Sequence, residues 1–144
     1  MKKFLASILV VFIGSASSLF FVFANGSVGV SAVVGSLNHS PVITTLTPSS
    51  DPKLLGTNKI QNYTLYFRDD EKDTVSYTIT PMDGYTNPIN GTINPGDYDS
   101  GSGAYINFTY LSPATLPAGN LTTVTITLND GPNLVNKDIH LYIY

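Results

Sequence analysis

The densest chemistry in this chain is the run Asp69-Asp70-Glu71-Lys72-Asp73, four carboxylates in five residues. Oxygen ligands at alternate positions of a turn suit a hard cation such as calcium, which takes roughly six to eight oxygens. A further carboxylate, Asp130, follows a strand end that should lie near that turn. The alternative is a solvated acidic turn that holds no ion. A second feature is the set of N-x-[ST] sequons at Asn25, Asn38, Asn62, Asn90, Asn107 and Asn120, where composition alone predicts about 2.5. They are expected glycan acceptors in an exported chain, although an Asn/Thr-rich sheet surface also generates them with no modification at all. Enzyme chemistry is poorly served. His39 falls in a linker and His140 at an outward strand position, so a Ser–His–Asp set has no supporting geometry. Paired carboxylates for glycoside hydrolysis occur only in the acidic turn, where water keeps them ordinary acids. The residues therefore predict no enzyme. Exposed tyrosines Tyr66, Tyr142 and Tyr144 would offer a sugar-stacking or docking face, or pair across neighbouring strands.

These side chains must be positioned by one modest domain, since the chain has 144 residues and 15.5 kDa. Charged residues are only 12%, about half the usual share, and there is no cysteine or tryptophan. This excludes a disulfide-stapled scaffold, a cysteine-ligated zinc module and a basic nucleic-acid binder, so no nucleic-acid partner is expected. Residues 1–24 have the layout of an export signal. A basic start (Lys2, Lys3) precedes an uncharged stretch over 4–24, and Val22-Phe23-Ala24 supplies small residues at −3 and −1 of a cleavage point. The alternative is an uncleaved anchor, because the uncharged stretch, as a helix, spans roughly 31 Å. Both readings predict a hydrophobic N-terminal signal or anchor helix and place residue 25 onwards outside the cell. Contact with the membrane is then expected only through residues 4–24, if these are retained. Without Lys2 and Lys3, five basic side chains face ten acidic ones, a net charge of −5.

Residues 25–40 are small and Gly/Ser-rich, which reads as a linker. Val28, Val30, Ala32 and Val34 at period two also allow a strand in search of a sheet. From Pro41 onward alternation recurs. Tyr63, Leu65 and Phe67 share a face over 61–68, as do Val75, Tyr77 and Ile79 over 74–80. Ile106, Phe108 and Tyr110 do so over 104–111, Val124, Ile126 and Leu128 over 122–129, and Ile139, Leu141 and Ile143 over 138–144. Weaker strands cover 41–47 and 90–94. About seven short strands separated by turns predict an all-β chain over 41–144, an antiparallel immunoglobulin-like β-sandwich.

The segment Phe67-Arg-Asp69-Asp-Glu71-Lys-Asp73-Thr-Val-Ser-Tyr77 resembles the D-x-D-G-D-T-L-x-Y run of cadherin-like and immunoglobulin-like repeats in prokaryotic cell-surface proteins. Pro88-Ile-Asn90-Gly-Thr-Ile93, Phe108-Thr-Tyr110 and Thr123-Val-Thr-Ile-Thr-Leu-Asn-Asp130-Gly131 resemble later strands and turns of the same repeats, so the likeness spans about 41–144. It implies calcium ligands at Asp69, Glu71 and Asp73, with Asp130 as a fourth. Two departures stand out: Glu71 replaces the usual Asp, and Lys72 replaces the turn glycine, bringing a positive charge beside the ion. The implied function is a non-catalytic, secreted or cell-surface module for adhesion or envelope structure, stiffened by calcium. Its partners would be other surface proteins, further copies of itself head to tail, or glycans. Two other functions share the fold: a glycosylated filament subunit assembling by donation of the segment 25–40, and a small carbohydrate-binding module.

Overall fold

A computed structural model describes residues 11–12, 18–24, 27–32, 37–49 and 51–144. The chain divides into two compact units, Met1–Leu37 and Asn38–Tyr144. In the first, β1 (Val11–Phe12) pairs with β2 (Ser18–Ala24), and β2 pairs antiparallel with β3 (Ser27–Ala32). The expected signal or anchor helix over 1–24 is thus corrected wherever the segment is described. The aromatic and β-branched run Phe20-Phe21-Val22-Phe23 favours extended backbone. The rest of 1–24, and the sequon Asn25, lie outside the described residues. No helix among the described residues is long and apolar enough to cross a membrane.

The second unit is all-β. Its strands are β4 (Val42–Thr47), β5 (Lys53–Leu55), β6 (Ile60–Arg68), β7 (Val75–Pro81), β8 (Tyr85–Asn87), β9 (Asn90–Ile93), β10 (Gly103–Leu111), β11 (Leu121–Asn129) and β12 (Leu134–Ile143). They form two sheets, of order β4-β6-β10-β8 and β5-β12-β11-β7-β9. With β4, β6 and β10 in one sheet and β7, β11 and β12 in the other, the arrangement is that of an immunoglobulin-like sandwich. Two expectations need correction. There are nine strands, not seven, because β5 and β8 have three residues each, too few to show alternation. The sandwich is also not wholly antiparallel, since β5 runs parallel to β12 through Leu141↔Lys53 to Ile143↔Leu55. Pro48 and Pro52, which lack an N–H, interrupt the chain between β4 and β5, and it changes sheets there.

The inward residues of both sheets make one core. Tyr63, Leu65, Phe67, Ile106, Phe108 and Tyr110 meet Val75, Ile79, Val124, Ile126, Leu128, Ile139, Leu141 and Ile143, all buried. Tyr63 stacks on its cross-strand neighbour Phe108 with ring centroids 5.2 Å apart. The Tyr110 hydroxyl donates to Asp83 O at 3.0 Å, and Ser112 Oγ bridges Lys59 N and Gly56 O at 2.8 and 2.7 Å. The register brings the ends of β6 and β11 to the same end as the starts of β4, β7, β10 and β12, since Arg68 pairs with both Val42 and Gly103 and Asn129 with Ser76 and Leu134. That end carries the acidic turn.

Candidate metal centre at the acidic end

Alternation along β6 sends Phe67 inward and Arg68 outward, and it carries on into the turn. Asp69 is 1% exposed, while Asp70 lies outside, its Oδ1 accepting from Arg68 Nε at 2.7 Å. Asp69 Oδ2 accepts from Asp73 N at 2.8 Å and from the Tyr98 hydroxyl at 3.3 Å. Its Oδ1 is buried and has no partner. Burial pushes the Asp69 carboxyl above the ordinary carboxylate range, against the opposing bonds from Asp73 N and Tyr98. The Tyr98 hydroxyl is raised too, by burial first and then by the charges of Asp69, Asp73 and Asp130.

Glu71 Oε1 lies 2.5 Å from His39 Nδ1, and its Oε2 is a second buried oxygen without a partner. The hydrogen bond to Glu71 raises the His39 imidazole, and the same bond lowers the Glu71 carboxyl. Asp130 is 7% exposed in the turn between β11 and β12, held by Asn133 through N→Oδ1 at 3.1 Å and Nδ2→Oδ2 at 3.3 Å. Asp130 O accepts from Asn38 Nδ2 at 3.1 Å, Asn38 O accepts from Asn133 Nδ2 at 3.3 Å, and Asn38 Oδ1 is the third unpartnered buried oxygen at this end, a fourth being the Tyr63 hydroxyl in the core. Asp73 enters mainly through its backbone, its N bonded to Asp69 and its O to the Tyr98 hydroxyl at 2.9 Å, with the side chain exposed.

Of the four expected ligands, Asp69, Glu71 and Asp130 thus lie at one end of the sandwich in three hydrogen-bonded groups, Asp69 with Asp73 and Tyr98, Glu71 with His39, and Asp130 with Asn133 and Asn38. Asn38 carried a different signal in the sequence, a sequon in a linker, and only the fold brings it beside Asp130. No three His, Cys, Asp or Glu side chains meet as a preformed metal cluster among the described residues. The donor set is mixed, two carboxylate oxygens and one amide oxygen, all hard ligands of the kind calcium takes. Buried polar oxygens ordinarily find partners, and these three have none. Lys72 stands at φ +55°, the left-handed conformation in which glycine is at ease, and its ammonium donates to Asp99 O at 2.8 Å.

The remaining candidates are spread over the surface. Asn62, Asn90 and Asn107 are exposed, while Asn38 and Asn120 are half-buried. Two sequons face each other across β6 and β10: Thr64 Oγ1 donates to Asn107 Oδ1 at 2.7 Å, and Thr109 Oγ1 donates to Asn62 Oδ1 at 3.0 Å. Tyr66 pairs across strands with Tyr105, ring centroids 6.1 Å apart, while Tyr142 and Tyr144 are exposed at the other sheet and its end. His140 Nδ1 lies 3.1 Å from Asp51 Oδ1 on the surface.

No protein-family model matches the sequence, and no curated protein matches it. Three solved structures illustrate what the chain is similar to. A FixG-related protein from Vibrio parahaemolyticus has a TM-score of 0.45 at 12% identity, covering 60% of this chain and 80% of that one. The ASH/PapD-like domain 7 of human CEP192 has a TM-score of 0.40 at 11% identity, covering 80% and 94%. Domains 4 and 5 of the S-layer protein SbsC have a TM-score of 0.38 at 13% identity, covering 88% and 64%.

Proposed function

We propose that this chain is a non-catalytic module of the cell surface, used for adhesion or envelope structure, whose acidic end is stiffened by calcium. One observation carries the reading: the unpartnered buried oxygens Asp69 Oδ1, Glu71 Oε2 and Asn38 Oδ1 at the end that carries the 69–73 and 130–133 turns. Asp69, Glu71, Asn38 and the neighbouring Asp130 would hold the ion. It would supply positive charge beside the buried Asp69 carboxylate and join the 69–73 turn, the 130–133 turn and residues 38–39 into one rigid end. The export layout of residues 1–24 supports the location.

Thermal unfolding tests the ion. Free calcium at 10 to 100 times Kd stabilises by roughly 1.4–2.7 kcal/mol, so the melting temperature should rise by about 5–15 °C over chelator. Asp69→Asn should abolish the rise, because it removes a negative ligand while keeping an oxygen for Asp73 N. An unchanged melting curve in calcium sinks the ion and leaves the module without it.

A further inference from the structure

The sandwich is open along one side. β12 pairs with β5 only over Leu141–Ile143, and the next outward N–H, that of His140, is capped by Asp51 Oδ1 at 3.1 Å. Because strand backbone alternates, the N–H and C=O of Asn136 and Asp138 face the same outer side as those of His140, with no strand beside them among the described residues. Opposite runs β4, the outer strand of the other sheet. Between them lies a groove of about 590 Å³, with Ile43, Leu46, Val135 and Ile139 among its lining residues. Val42 and Leu134, at the acidic end of these two strands, are 61% and 66% exposed. Lys137 also lines the groove, as does Asp51.

We infer that this groove receives the segment Ser27–Ala32 of a second copy, added as a strand against the free edge of β12. The inference rests on the export reading of residues 1–24. In the intact chain Ser27–Ala32 pairs with Ser18–Ala24. Cleavage after Ala24 removes that partner and leaves six residues with a row of unpaired N–H and C=O groups. The segment matches the site in three ways. Its six residues extend about 20 Å, like the six of β4. Val28, Val30 and Ala32 recur at period two in the sequence, which matches the apolar residues of a lining that also carries Thr45, Ser49 and Asp51. Residues 27–36 carry no charged side chain that the groove would have to desolvate, and the α-ammonium that cleavage leaves on Asn25 lies two residues ahead of the segment. A strand added to an exposed edge gains backbone hydrogen bonds for affinity and side-chain pockets for register. Since each copy has one donor and one groove, the contact is head to tail and repeats into a filament. Lys137, an inward-facing charge on an edge strand, disfavours the competing pairing of one β12 with another.

The test uses the full chain expressed with its leader in an exporting host. Mass spectrometry of the N-terminus reads the export premise separately: Asn25 is the expected first residue, and a retained Met1 overturns cleavage whatever the assembly does. Light scattering should show integer multiples of the protomer mass. Asn136→Pro removes an N–H that β11 does not use, so it should leave the melting curve near wild type and reduce the multimers at least tenfold. In the chain with Ser31→Cys and Asn136→Cys, which has no other cysteine, oxidation should give a ladder of linked protomers on a non-reducing gel. An oxidised monomer shows the segment folded back on its own groove and overturns the inference. So do the absence of any cross-link and multimers that persist in Asn136→Pro.

Discussion

At the scale of single residues, two of this molecule's carboxylates meet histidines in pairs that the sequence does not announce. Asp51 stands in a proline-flanked loop, with nothing in its neighbourhood to suggest a partner, yet it meets both the backbone N–H and the ring of His140, 89 positions away. Burial works to raise its carboxyl, but the hydrogen bonds and charge of His140, with help from Lys137, outweigh it and leave the carboxyl below its ordinary value. A carboxylate depressed in the folded state contributes stability above its unfolded pKa of about 3.8, and that contribution is lost as pH falls through the lower folded value. Asp51→Asn should therefore cost stability at pH 7. The cost should stay under about 1 kcal/mol because the pair is exposed and screened. The difference from wild type should narrow as pH falls below the unfolded value and shrink in high salt. Urea midpoints at pH 7 and pH 3 measure this; a gap that is equal at both assigns the effect to shape, not charge. The acidic turn was more legible. Asp69, Glu71 and Asp130 announce themselves by charge and spacing, whereas Asn38 does not, because an amide in a linker carries no signal until the chain's entry beside β11 is known.

At the scale of elements, period two was enough wherever a strand is long and buried on one side. Each inward set read from the alternation, such as Tyr63, Leu65 and Phe67, is in the core, with Tyr77 only half-buried. Ile79→Ala on β7 should accordingly cost about 2–5 kcal/mol, while its outward neighbour Thr78→Ala should cost under about 1, both read from denaturant midpoints. Comparable losses at the two positions would mean that β7 is not packed with one face in. What escaped the pattern did so for identifiable reasons. β5 and β8 are too short to alternate. The first half of β12 was missed because Lys137 occupies an inward position, opposite Ile126, where the pattern calls for an apolar residue. The two sequons on β6 and β10 gain a structural role from the register, since each threonine donates to the asparagine of the other strand. A cross-strand Asn–Thr ladder on an exposed face produces N-x-T at matching positions whether or not any glycan is attached.

At the scale of the whole molecule, the unit Asn38–Tyr144 contains both the hydrophobic core and the residues that complete the acidic end. Among the described residues, the sixteen buried apolar side chains of the core lie in Asn38–Tyr144, so residues 38–144 carry that hydrophobic driving force. Residues 38–41 add little to it. They supply the Asn38 bonds to Asp130 and from Asn133, the His39–Glu71 pair, and one of the three orphaned oxygens. Two shortened chains can separate these contributions. Residues 38–144 should fold, and calcium should raise their melting temperature by as much as it raises that of the full chain. Residues 42–144 should also fold, since β4 begins at Val42 and keeps its pairing with β6. In chelator they should be less stable by about 1–3 kcal/mol, the worth of a few partly buried hydrogen bonds. The calcium shift should fall to less than half, because two carboxylates remain in the turns while the amide oxygen and the brace on Glu71 are gone. An equal calcium shift in both chains would remove Asn38 from the centre. A shift in neither would mean that the orphaned oxygens of Asp69 and Glu71 are met by water, and that hydrogen bonds alone join the turns at this end.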